Sequence, residues 1–456
     1  MMQEESERSS DPPRALMELV SFDGQVRRRQ LVARPDRYRH LEMLGGAQRR
    51  IVRGGGYSYA AAGFGAAESL VQDCRAFNRI LAFDDEKGLI ECEGGTTLGK
   101  VHGIAEPRGW YLPVQPGYPH ITVGGCIAAD VHGKNQFRDG NFHSVVQSLR
   151  LFHPRHGILD ADRERNPEVF DLTCGGFGLT GQIVSARLQL ARLPGRRVRV
   201  WRIPISSFEE TLRLLEEEAP RRTFIYTWHD FTARGPGFGN GFLYAGDFLT
   251  GSAAKESSRD SRIVAISAEK RGRWRLGLLN SWTARLFNAT YGLWQSLAAA
   301  DRETGIFSFL FPVARKVAYF KLFGAPGFRE YQLLVPYASF DRLAASLRLY
   351  QRIHRTPITL ASCKLFRGKQ SQLRFDGDGV CLALDFPSGP AADRLCSFLD
   401  DLVRELGGQP NVVKDSRLPG QVVRDCYTHY GLFRRALHQF DPERLYVSEL
   451  SERLGL

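Results

Sequence analysis

Two runs in this chain leave the main chain bare of bulky side chains. The first is Arg53-Gly54-Gly55-Gly56-Tyr57-Ser58-Tyr59, and the second is Pro116-Gly117-Tyr118-Pro119-His120-Ile121-Thr122-Val123-Gly124-Gly125. Consecutive amides free of side-chain cover form a concavity that accepts an anion, and a pyrophosphate is the natural occupant. Two such loops closing on one diphosphate imply a dinucleotide cofactor. A third glycine-rich segment, 174–184, follows Asp130-Val131-His132-Gly133-Lys134-Asn135.

The elements around these loops are short strands and helices. Leu16 to Phe22 and Gln25 to Val32 alternate as strands about the turn Asp23-Gly24. Tyr38 to Leu44 reads as a helix leading into the strand 49–53. Leu89 to Glu93 alternates as a half-buried strand, and Thr97 to Ala105 follows as a helix. Val145 to Phe152 and Ser185 to Leu190 are further strands. Proline, glycine and charge cluster at Arg192-Leu193-Pro194-Gly195-Arg196-Arg197, which suits a domain boundary. Beyond it the pattern changes: strands 198–203, 223–230, 330–335, 359–366 and 380–386 are interleaved with helices 206–218, 339–354 and 391–405. This grammar predicts an antiparallel sheet covered by helices. The expected organisation is a disordered tail over 1–15, a cofactor domain over 16–195, and a substrate domain over 196–410 containing a mobile segment near 251–300.

The chain has 456 residues, too many for one ordinary core, which agrees with two domains. Eight cysteines lie scattered, with no C-x-x-C pair and no histidine at zinc spacing, so no metal site is expected and a reducing, cytoplasmic setting is. The acidic start lacks the basic and apolar regions of a secretory signal. No apolar run reaches the roughly 18 residues that a membrane span needs. The net charge of +12 draws anionic partners, but no nucleic-acid module is present and none is expected as a partner. Between 271 and 300, Trp274, Trp282, Trp294 and several arginines share a helix-like stretch. That pattern suits an interfacial helix touching the inner face of a membrane, or equally a lid or core helix.

The set of loops resembles the flavin-binding oxidases of the vanillyl-alcohol oxidase/p-cresol methylhydroxylase (PCMH) superfamily. In that family the first loop commonly carries a histidine that bonds covalently to the flavin. Tyr57 stands in its place here, which implies FAD bound without a covalent link. Val123 to Asn135, together with Ala233-Arg234-Gly235, Tyr331 to Pro336, Cys363 to Phe366, Leu384 to Pro387 and Val413 to Arg417, resembles the decaprenylphosphoryl-β-D-ribose 2-oxidase family, and the likeness runs over about 16–456.

The resemblance implies an α+β protein: a PCMH-type FAD-binding domain of two α/β subdomains, a substrate domain, and a return of 411–456 to the first domain. It implies that Arg53, Gly54, Gly55, Gly56, Tyr57, Ser58, Tyr59, Gly117, Thr122, Val123, Gly124, Gly125, Ala129, Asp130, His132 and Ile183 contact FAD. Asn411 stands near the cofactor where relatives have tyrosine. It places Lys414, Tyr59 and His132 at the chemistry, and Lys134, Trp228, Gln332 and Lys364 on the substrate.

The implied reaction oxidises a secondary hydroxyl of a polyprenyl-phosphoryl ribose, with hydride passing from carbon to flavin N5. It would be the first half of an epimerisation to arabinose in cell-wall precursor synthesis, completed by an NAD(P)-dependent reductase. A lysine can take the hydroxyl proton, provided burial or a neighbouring cation lowers its pKa, or it can stabilise the alkoxide. Lys414 is the first choice. The departures lie on the substrate side: Phe311 replaces a tyrosine, Glu330 a glutamine and Ala383 a cysteine. The alternatives are a soluble sugar, alditol or aldonolactone oxidase, and a basic binding protein that keeps the fold without turnover.

Overall fold

The computed structural model describes residues 12–44, 46, 48–250, 277–315 and 317–456. Three main sheets organise them. The first is a hairpin, Arg14–Val20 with Arg27–Ala33, extended by two parallel pairings through Leu70–Asp73 to Arg50–Arg53. Gly24 closes the hairpin at φ +82°, a conformation that glycine takes at no steric cost. Arg14 and Ala15 pair with Ala33 and Val32, so the first strand includes two residues of the expected tail, whose residues 1–11 lie outside the described residues. The hairpin register extends past the apolar alternation because ladder hydrogen bonds do not need apolar side chains.

The second sheet is antiparallel, in the order Ile80–Asp84, Leu89–Glu93, Gln182–Gln189, Val146–His153, Gly157–Asp162. Its inward residues Ile90, Cys92, Leu149, Leu151, Ala186 and Leu188 form one core with the helices Leu98–Ala105 and Val123–Ala129. The pair Ala191–Arg192 meets Trp110–Tyr111, and the next strand, Arg197–Ile205, already belongs to the third sheet.

That third sheet has eight strands, in the order Asp301–Gly305, Arg197–Ile205, Gly241–Phe248, Phe224–His229, Leu360–Phe366, Gly379–Pro387, Phe328–Val335, Gln409–Pro410, with every pairing antiparallel. Successive side chains of a strand point to opposite faces. One face carries Ile225, Tyr331, Leu333, Ala361, Cys363, Leu365, Leu382 and Leu384, all buried in one core with helices Phe340–His354 and Pro390–Glu405. The helices bring Leu343 and Leu347, and Leu395, Leu399 and Val403, at the three- and four-residue spacing of an amphipathic stripe. The intervening residues of the same strands face the other way, towards the glycine loops.

After Pro410 the chain reaches back to the first sheet. Tyr446 pairs in parallel with Arg50, Ser448 pairs with Gly65, and Leu450, Leu454 and Leu456 join Phe64 and Val71 in the core. Within 251–300, residues 251–276 lie outside the described residues. Ser281–Leu297 is a helix whose Asn280 and Thr283 form a reciprocal capping box, inside the helix-like stretch expected over 271–300. Its buried residues Ala284, Asn288 and Gln295 hold it against the sheet. No helix among the described residues is long and apolar enough to cross a membrane.

Candidate functional site

The two glycine loops and the free face of the eight-stranded sheet enclose one cleft of about 660 Å³. That is within the range of cofactor and ligand cavities. The strand Arg50–Arg53 runs straight into the first loop. A Cβ on Gly54 would collide with the Thr122 hydroxyl of the second loop, and Gly56 sits at φ +76° beside the Arg53 guanidinium. The two loops therefore touch only because the first lacks side chains. Among the described residues, no group accepts a hydrogen bond from the amides of Gly54, Gly55 or Gly56, and the buried Ser58 hydroxyl has no partner. In the second loop, the Gly124 amide donates to Gly94 O at 2.7 Å, and the Thr122 hydroxyl accepts from Gly125 N at 3.2 Å, which fixes the turn. A cradle of unspent amides plus an orphaned buried hydroxyl suits a diphosphate. The donor set fits FAD.

Of the residues expected at the cofactor, Arg53 to Tyr59, Gly117, Thr122, Gly124, Gly125, Ala129, Asp130, His132, Ile183 and Asn411 all line this cleft. Val123 does not. It is the first residue of its helix, its side chain lies in the core, and its amide is bonded to Thr96 O at 2.8 Å. Asp130 borders the cleft, but its carboxylate is committed elsewhere: it accepts from the His143 amide at 2.8 Å and from Asn141 Nδ2 at 3.3 Å. Tyr57 packs edge-on against Tyr118, with ring centroids 4.7 Å apart, so a phenol occupies the place of a linking imidazole.

The opposite wall follows from strand periodicity. Glu330 and Gln332, Ser362 and Lys364, Ala383 and Asp385, and Tyr226 and Trp228 are pairs two residues apart on four neighbouring strands, and all eight line the cleft. Lys134, Trp228, Gln332, Lys364 and Lys414 thus share one chamber with Tyr59 and His132. Sequence reasoning missed Tyr226, Ser362 and Asp385 as lining residues. The signal was available: each stands two positions from a residue that was named. It also missed Tyr319, whose hydroxyl meets Thr359 Oγ1 at 2.8 Å and donates to Asp385 Oδ2 at 3.2 Å. Phe311 is fully buried against Phe307 and His102 and lies off the cleft.

The polar groups are tied into a network. Gln332 Nε2 lies 3.2 Å from His132 Nε2, and Gln332 Oε1 accepts from Asn411 Nδ2 at 2.6 Å. Lys364 Nζ is 3.5 Å from His132 Nδ1. Burial, reinforced by the Lys364 charge, holds the His132 imidazole neutral, well below the ordinary histidine range. Burial likewise depresses Lys364, with Lys414 adding a like charge. Lys134 Nζ donates to Phe309 O at 2.5 Å, which fixes its ammonium at the edge of the chamber.

Lys414 differs from Lys364. Its Nζ pairs with Glu330 Oε1 at 3.0 Å and lies 4.3 Å from the centre of the Tyr59 ring, a cation–π contact. The burial condition for a basic lysine is met at Lys364, whereas Lys414 faces a carboxylate.

Residues 47–161 match the family model described as "FAD binding domain", which spans both glycine loops. Along most of its length the chain is similar to decaprenylphosphoryl-beta-D-ribose oxidase of Mycolicibacterium smegmatis, 27% identical over 422 residues that cover 89% of each chain. Shorter matches cover D-arabinono-1,4-lactone oxidase of Candida glabrata, at 28% over 117 residues (25% of this chain, 22% of that one), and cytokinin dehydrogenase 4 of Oryza sativa subsp. japonica, at 35% over 127 residues (27% and 22%). The family model covers the cofactor side, where this structure offers free amides to a diphosphate. The chain is an FAD-dependent oxidoreductase with an α+β fold, built around a PCMH-type FAD-binding domain.

Proposed function

We propose that this enzyme oxidises a secondary hydroxyl of a sugar carried on a polyprenyl phosphate, the 2-hydroxyl of a ribose, as the first half of an epimerisation to arabinose. The observation that carries this reading is the single polar sheet face opposite the FAD loops, where Gln332, Lys364 and Lys414 converge with His132. Bound FAD, held non-covalently beside Tyr57, supplies the acceptor for the hydride leaving carbon.

The protein side chains bind, orient and manage one proton. Gln332 is clamped by Asn411 and His132, so its amide meets sugar hydroxyls in a fixed orientation. The carboxylates of Glu330 and Asp385, directly opposite each other in the strand register, accept hydrogen bonds from further hydroxyls. Lys414, beside Tyr59, stabilises the developing alkoxide. Lys364 has the depressed basicity that a proton acceptor needs, and neutral His132 is next in line. Lys134 is placed for the anionic linker. A separate NAD(P)-dependent reductase completes the epimerisation.

The test is anaerobic bleaching of the yellow protein. Prenyl-phosphoryl ribose should bleach it, while free sugars, alditols and aldonolactones should not. Bleaching by lactones alone would overturn the substrate assignment in favour of a soluble sugar oxidase. Acid precipitation should release the flavin into the supernatant; flavin retained in the pellet would contradict non-covalent attachment.

A further inference from the structure

The helix Ser281–Leu297 has two different faces. Phe287 and Tyr291 line the cleft, and the Tyr291 ring sits 4.7 Å from that of Trp228. On the outside, Trp282 is 83% exposed, Leu286 66%, Leu293 61% and Leu297 78%. At about 100° per residue these four fall within an arc of roughly 60°, opposite the buried Ala284 and Gln295. Trp294, 60% exposed, flanks the stripe near the other end. A water-facing helix normally turns polar residues outward, and a continuous apolar stripe of this size marks an interaction surface.

We infer that this outer face docks on an anionic bilayer, with the helix lying in the headgroup–acyl boundary. Three features select that occupant. The helix has no acidic residue and carries exposed Arg285. Its first turn touches the end of the neighbouring helix, where the Ser281 hydroxyl donates to Arg355 O and where Arg352, Ile353 and Arg355 are exposed. An apolar stripe with a basic rim complements anionic headgroups. In a two-fold contact with a second copy the same patch would meet itself and set arginine against arginine. Tryptophans near both ends suit the polar boundary of a membrane. The opposite face of the same helix is a wall of the cleft, so docking would hold the chamber beside the membrane surface. This last consequence rests on the lipid-linked substrate proposed above; the docking itself does not.

The experiment is co-sedimentation of the full-length, FAD-loaded protein with vesicles of phosphatidylcholine containing phosphatidylglycerol. Wild type should sediment with these vesicles, less so at high salt, and remain in solution with phosphatidylcholine alone. The variant Trp282→Glu/Leu293→Glu should bind at least about tenfold more weakly, and Arg285→Gln roughly fivefold more weakly. Flavin absorbance should be unchanged in both variants, which reports on folding. Vesicle binding equal to wild type in the double variant would overturn the proposal. So would wild type that ignores anionic vesicles, or a wild-type dimer that the double variant converts to monomer. Turnover of a short-chain, water-soluble prenyl-phosphoryl ribose separates the two claims: its absence in wild type sinks the substrate reading while leaving the sedimentation result standing.

Discussion

The two walls of the cleft recognise their ligands with different atoms. The loop wall offers main-chain amides of Gly54 to Gly56 and one orphaned hydroxyl, whereas the sheet wall offers side chains placed by strand register. Main-chain recognition tolerates little: any Cβ closes the space. Side-chain recognition can be retuned one residue at a time without disturbing the sheet, and Glu330 and Ala383, two of the departures expected from the sequence, both stand on that wall, whereas Phe311 does not. The cofactor wall is therefore the rigid part of the design and the substrate wall the adjustable one.

The sharpest way to break this contrast is Gly54→Val. A side chain there collides with Thr122, so the purified protein should lose its yellow colour; flavin retained at wild-type occupancy would show that the loops do not depend on bare backbone. On the sheet wall, Lys414→Ala should leave the colour intact. It should slow anaerobic reduction by substrate by about 10²–10³, the cost of removing one group that stabilises developing charge. Unchanged reduction in a stopped-flow trace would remove Lys414 from the chemistry. Asn411→Ala withdraws the donor 2.6 Å from Gln332 Oε1 and leaves a buried carbonyl unsatisfied, at about 1–3 kcal/mol, readable in urea unfolding with flavin still bound.

The smallest effect concerns His132. Its folded pKa is depressed, so the unfolded chain binds the proton more readily as pH falls. The associated stability is complete above the unfolded value of about 6.5 and is lost as pH drops through the window below it. His132→Asn should reduce the acid-induced fall in Tm by a few degrees; an unaltered pH profile would mean that this imidazole is not held neutral.

The same contrast explains what the sequence made legible. The glycine loops announce themselves by composition, because the absence of side chains is itself the functional feature. The strands and helices that carry the sheet wall were also readable, since buried Tyr331 lies between Glu330 and Gln332, and buried Cys363 between Ser362 and Lys364. Which strands become neighbours is decided by long-range pairing, and that pairing alone sets Glu330 opposite Asp385 and Gln332 opposite Ala383. Tyr226 and Ser362 escaped notice for this reason, although period two connects each to a named residue. Val123 and Asp130 show the converse: both belong to the right motif, but one side chain turns into the core and the other is spent on His143 and Asn141. A motif identifies a segment, and only packing says which of its atoms are available.

The strand that opens into the first glycine loop is braced by residues near the far end of the chain. Arg50 N donates to Leu445 O at 2.7 Å, and Val447 N returns a bond to Arg50 O at 2.9 Å. These partners are roughly 400 positions apart, a separation that makes such pairing slow to form during folding. A nascent chain on the ribosome therefore carries an unfinished flavin cradle until its closing segment has emerged. Cofactor capture becomes a late event, and deleting residues 445–456 should yield apoprotein rather than a holoenzyme with a frayed end.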